Sequence, residues 1–183
     1  MTLDLLHEIE SNKFLIILME EREYLLKLDE IIKSVEKTRT KICYVCLSKP
    51  VKDVTEDLKN KGFRISDFFF IDVLTSHYQE PEMRSNCIFV RSPHNLASIR
   101  VAIKKAVDEK KCSVILFDTI STLLIYQQTH TVVDFTHHLV SEDAKENIKK
   151  LFIMLKHDTV PAEESERLAK DLGMFADKTI SME

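Results

Sequence analysis

Ser113-Val-Ile-Leu-Phe-Asp118 is an unbroken apolar run that closes on a carboxylate. Val114 to Phe117 leave no polar face, so a strand here must be covered on both sides. That is the pattern of a parallel sheet held between two helical layers. The flanking sequence fits it. Upstream, Ser92-Pro93 is expected to open a helix running to about Glu109, with Leu96, Ile99, Ile103 and Ala106 on its buried side. Downstream, Thr131 to Lys150 reads as mostly helical, Leu151 to Leu155 as a strand, and Pro161 to Leu172 as a helix ended by Gly173.

The same alternation extends in both directions. Phe14 to Met19, Ile42 to Leu47, Phe68 to Ile71 (closing on Asp72), Cys87 to Val90 and Lys178 to Met182 read as further strands. Between them, Tyr24 to Thr38 places Leu25, Leu28, Ile32 and Val35 on one helical face. Pro50 suits the first turn of a helix that runs to Asn60, with Gly62 just past its end. Thr75 to Asn86 is polar, contains Pro81, and reads as an exposed loop. Met1 to Ser11 reads as a short amphipathic helix. The expected fold class is α/β, a doubly wound, mostly parallel sheet with helices on both faces. One domain is expected over residues 1–183, with a helix in 1–12 and the core in 13–183.

Composition narrows the function classes. Of the 183 residues 44% are hydrophobic, enough for a globular core, and the net charge of −4 gives no global attraction to nucleic acid or to an acidic membrane. No apolar run reaches the roughly 18 residues of a membrane span. Asp4, Glu8 and Glu10 leave the N-terminus without the basic region of a signal peptide. A cytoplasmic protein is expected, with neither membrane nor nucleic acid as partner.

Cys43-Tyr-Val-Cys46 has the spacing of a redox or zinc pair, but it lies in strand-like sequence. Residues i and i+3 of a strand point to opposite faces, so these thiols, with Cys87 and Cys112, are expected to be buried and reduced. His130, His137 and His138 are read as a solvated helix face, because adjacent helical residues diverge by about 100°. No metal or cofactor is expected. Only two glycines occur, Gly62 and Gly173, so no Gly-rich phosphate loop can be built.

The order of the pieces resembles the RecA/KaiC-like ATPase family. Val114-Ile-Leu-Phe-Asp118-Thr-Ile-Ser-Thr-Leu-Leu124 looks like its Walker B strand and hydroxyl-rich continuation. Arg91-Ser-Pro-His-Asn-Leu96 and Ala176-Asp-Lys-Thr-Ile-Ser-Met182 are also similar. The resemblance covers residues 13 to 183. It implies a strand order in which Leu151–Leu155 lies between Phe14–Met19 and Ser113–Asp118, with Ile42–Leu47 beyond the latter. It also implies a G-x-x-x-x-G-K-[ST] loop after the first strand and a catalytic Glu pair after the second. The chain has Glu20-Glu-Arg-Glu23 and Ser48-Lys49-Pro50 there instead.

Ligands of such sheets sit beyond the carboxyl ends of the strands. The residues to inspect are Glu20, Glu21, Ser48, Lys49, Asp72, Asp118 and His157, with Asp118 and Thr119 as the remnant Walker B pair. Asp118 is expected to be a cap or a buried acceptor, and no residue is expected to be catalytic. The leading expectation is a pseudo-ATPase acting through a protein partner or self-association. One alternative is a small-molecule or nucleotide-binding enzyme with an unrecognised strand-end site. Another is a receiver-like signalling domain, with Glu20-Glu21 as its acid pair and Asp72 as phosphoacceptor.

Overall fold

Each apolar run of the sequence becomes a strand. The computed structural model describes residues 4–142, 147–156 and 161–182. The strands are β1 (Phe14–Glu20), β2 (Lys41–Cys46), β3 (Phe68–Asp72), β4 (Cys87–Phe89), β5 (Cys112–Asp118), β6 (Lys149–Lys156) and β7 (Lys178–Met182). They form one sheet in the order β4-β3-β2-β5-β6-β1-β7, and every pairing is parallel. β6 therefore lies between β1 and β5, with β2 on the far side of β5, as the resemblance implies. A receiver-like fold would instead be built on strands ordered 2-1-3-4-5. The topology excludes that alternative.

Strand alternation divides the core in two. Ile16, Cys43, Val45, Ile115, Phe117 and Phe152 face one helical layer. It contains α5 (Leu96–Asp108), α6 (Thr129–Glu142), α7 (Ala162–Gly173) and the 3-10 segment Ile120–Ile125. Ile17, Tyr44, Cys46, Val114, Leu116 and Ile153 face the other. That layer contains α1 (Leu5–Ser11), α2 (Tyr24–Lys37) and α3 (Val51–Asn60). Cys43 and Cys46 thus belong to different faces, and no disulfide forms. Phe117 sits at the centre of the first layer, with its ring 4.3 Å from that of Phe152. Gly62, at φ +83, ends α3 in the left-handed conformation that a residue with a Cβ adopts at a cost.

Several boundaries differ from expectation. Lys149 and Lys150 start β6 rather than ending a helix. The Lys150 amide donates to the Lys13 carbonyl at 2.7 Å, and the residue is buried, so strand pairing overrides the polar look of the pair. α6 opens two residues early, at Thr129. Ser92 does not open α5. Its hydroxyl accepts the His94 amide, and Asn95 caps the helix by accepting the Ser98 amide at 3.0 Å. The expected loop at Thr75 begins with a one-turn helix, α4 (Thr75–Tyr78). Leu25 is exposed, and the buried side of α2 is Leu28, Ile31, Ile32 and Val35.

Candidate functional site

Alternation along β5 puts Val114, Leu116 and Asp118 on the side covered by α2 and α3. Tyr44, two residues before the Cys46 that pairs with Asp118, faces the same way. Its hydroxyl donates to Asp118 Oδ2. The hydroxyl of Tyr24, the first residue of α2, donates to Oδ1. Both carboxylate oxygens are therefore taken, and Asp118 is 2% exposed. Burial pushes its carboxyl above the ordinary 3.8, opposed by the two tyrosine hydroxyls and the charge of Lys49. Burial and the adjoining carboxylate hold both phenols far above their usual range. The cavity beside Asp118, bounded by Tyr24, Leu28, Tyr44, Lys49 and Asp57, measures about 20 Å³. That is room for about one water.

The chain beyond Asp118 is tied to the end of β2. The amides of Leu47 and Ser48 both donate to the Asp118 carbonyl, at 3.1 and 3.0 Å. The Thr119 amide returns a bond to the Ser48 hydroxyl at 3.0 Å, and Thr119 and Thr122 share a hydroxyl contact of 2.9 Å. The hydroxyl-rich stretch after β5 is spent on joining two strand ends.

Of the other strand-end residues among those described, Lys49 alone borders the space beside Asp118. Lys49 reaches Asp57 at 3.0 Å. Glu20 lies 3.9 Å from Lys156, and Glu21 is exposed in the one-turn 3-10 segment Glu21–Glu23. Asp72 is fully buried and accepts four bonds, from the amides of Val51, Leu74 and Thr75 and the hydroxyl of Thr75. His157 lies outside the described residues. Only Ser48, Lys49, Asp118 and Thr119 come together. Tyr24 and Tyr44, which complete the cluster, were not among the expected site residues. Their one signal in the sequence is that a buried tyrosine hydroxyl needs a partner.

Asp118→Asn is expected to cost about 1–2 kcal/mol or less, because the amide keeps one acceptor for the two phenols. The cost should also depend on pH. The folded carboxyl binds its proton more tightly than the unfolded one, so its contribution is complete below 3.8 and is lost as pH rises through the raised value. Asparagine does not titrate, so the wild-type advantage should shrink from acid to neutral pH. Urea unfolding of both proteins across that range checks it, and a cost that grows with pH would contradict it.

Among the described residues, no group of three or more His, Cys, Asp or Glu is placed to hold a metal ion, and no helix is long and apolar enough to cross a membrane. His130, His137 and His138 are exposed on α6. Burial raises all four thiols, Cys112 to about 11, which keeps them protonated and poorly nucleophilic.

A solved KaiC-like protein from the hyperthermophilic archaeon Pyrococcus horikoshii has the same backbone path. The two align with a TM-score of 0.62 over 93% of this chain and 72% of that chain, at 11% sequence identity. The fold is KaiC-like. No protein-family model matches the sequence, and no curated protein does. In the KaiC-like fold, β5 is a central strand, and Asp118 stands at its carboxyl end, where open α/β sheets place their ligands.

Proposed function

We propose that this chain is a KaiC-like module that acts through protein contacts and neither binds nor hydrolyses ATP. One observation carries the proposal. The strand-end acid of β5 is closed off by Tyr24 and Tyr44, with space beside it for about one water. A Mg²⁺-bound phosphate at Asp118 would have to displace both phenols and open the interface between α2 and β2. The sequence after β1 supports the same conclusion, since Glu20, Glu21 and Glu23 stand where a phosphate loop would supply amides and a lysine. Incubation with Mg·ATP should release no phosphate above the buffer rate, and Asp118→Asn should leave that unchanged. Mg²⁺-dependent turnover abolished by Asp118→Asn, with folding intact, would overturn the proposal.

One feature favours a second reading, that of a small-molecule binder. A mainly apolar hollow of about 230 Å³ lies between α7 and the ends of β1 and β6, lined by Leu18, Met154, Leu155, Lys156, Ser165 and Ala169 among others. It is smaller than the ~300–1,000 Å³ of most ligand sites, which leaves the interaction module as the better-supported reading.

A further inference from the structure

The hollow beneath α7 follows from small side chains. Ala162, Ser165 and Ala169 recur at spacings of three and four residues, so they share one face of the helix, and that face lines the hollow. Opposite them, Leu18 of β1 and Met154 of β6 are register partners on the sheet. Leu168 and Leu172, both at 0% exposure, fill the interface beside it. The space left at the start of the helix is about 230 Å³. It lies on the α5–α7 side of the sheet, whereas Tyr24 and Tyr44 close Asp118 on the other.

Ser165 gives the hollow a polar group. The residue is 5% exposed, and its hydroxyl has no hydrogen-bond partner among the described residues. Buried hydroxyls are normally paired, and a helical serine or threonine can pair by bonding the carbonyl four residues back. Ser34 and Thr55 do this, to Glu30 and Val51. Ser165 does not. A water beside it would meet this one hydroxyl among the side chains of Leu18, Met154 and Ala169, short of the roughly two to four polar partners that hold a buried water. The charged residues stay at the rim. The Lys156 side chain is 37% exposed and lies 3.9 Å from Glu20, and Glu166 is exposed. A charge carried further in would lose its hydration without gaining a counter-charge. A neutral oxygen carried in would meet the Ser165 hydroxyl.

We propose that this hollow binds a compact, uncharged molecule, apolar except for one hydroxyl or carbonyl oxygen that pairs with Ser165. The inference rests on the second reading above, of the chain as a small-molecule binder, and names the ligand class for it. Size agrees with the class. An apolar cavity of about 150 Å³ takes up benzene, so the larger hollow here suits a ring with one or two substituents, roughly eight to ten heavy atoms. Met154 adds a thioether, which packs favourably against an aromatic edge. The apolar body would cover Leu18, Met154 and Leu155, and its oxygen would satisfy the hydroxyl that the fold leaves unpaired.

Titration of the full chain with p-cresol, p-xylene and p-toluate tests the class, read from the methyl resonance of Met154, which is assigned by its loss in Met154→Leu. p-Cresol should shift that resonance saturably, with a dissociation constant of about 0.1–1 mM. p-Toluate, the same ring carrying a carboxylate, should bind about tenfold more weakly or worse. Ser165→Ala should weaken p-cresol about two- to tenfold, the worth of one neutral hydrogen bond, and leave p-xylene unchanged. Without ligand, Ser165→Ala should unfold at the same or a higher urea concentration, because its hydroxyl has no partner to lose. Ala169→Leu should abolish binding by filling the hollow, with circular dichroism to check that it folds. The two claims fail differently. p-Toluate binding as tightly as p-cresol, or a Ser165→Ala effect that is equal for p-cresol and p-xylene, would overturn the ligand class and leave the small-molecule reading standing. A Met154 resonance that none of the three moves at about 5 mM, a concentration well above the expected constant, would overturn both.

Discussion

Asp72→Ala should destabilise the protein by about 3–5 kcal/mol, the largest loss expected from any single polar side chain described above. Asp72 ends β3 with 0% exposure, and four donors converge on its two oxygens. The Val51 amide, at 2.7 Å, opens α3, whose own N-cap residue is Pro50 and has no side chain able to accept it. The amides of Leu74 and Thr75 and the Thr75 hydroxyl turn the chain into α4 at 2.7–2.8 Å. One carboxylate therefore caps two helix starts from the end of a strand. Alanine would leave these donors facing a dry interior, each at a cost of about 1–3 kcal/mol, lowered where water can enter. Against a typical stability of roughly 5–15 kcal/mol the loss is large. Asp72→Asn keeps one acceptor and should cost less, so it gives a measurable variant if the alanine form does not fold. Urea unfolding of both checks the claim, and a loss below 1 kcal/mol for the alanine variant would show that the bonds are replaced by solvent.

The same bonds explain why Asp72 is unsuited to accept a phosphoryl group: its oxygens are buried and already engaged. In the sequence, an Asp at the end of an apolar run reads equally well as a cap or as a site, and the donors that settle it are up to 21 residues away. Asp118 posed the same ambiguity at longer range. Its partners Tyr44 and Tyr24 are 74 and 94 residues away, and a hydropathy pattern records a tyrosine as one more apolar residue. The sheet was easier to read, because each strand has its own apolar run and every crossover except that from β3 to β4 carries a helical period. What failed were ends and exposure. Lys149-Lys150 looks polar and pairs as strand. Ser92 competes with Asn95 for the cap and loses the helix to it. Leu25 has the period of a buried position yet is 53% exposed, because the helix turns Ile31 to the sheet instead.

Mg·ATP titrated to several millimolar should give no saturable response, by calorimetry or by thermal shift. A micromolar nucleotide site needs about −8 kcal/mol. In a phosphate-loop site much of that comes from backbone amides and one lysine, with charge-assisted bonds contributing roughly 1.5–3 kcal/mol each. Losing three or four such bonds removes about 5–10 kcal/mol, which is most of the affinity. In this chain β1 runs into the 3-10 segment Glu21–Glu23 and then directly into α2. Its single turn offers Glu20, Glu21 and Glu23 where the phosphates would need donors, and these carboxylates repel them. The start of α2 still favours an anion, but by only about 0.3–1 kcal/mol. Tyr24, the first residue of that helix, is bonded to Asp118, so admitting Mg²⁺ there would also break a buried hydrogen bond, at about 1.5–3 kcal/mol. Both estimates point the same way, to a dissociation constant well above the millimolar range. Saturation below a millimolar, competed by ADP, would show that the KaiC-like fold of this chain holds nucleotide without a phosphate loop, and the non-catalytic reading would have to be given up.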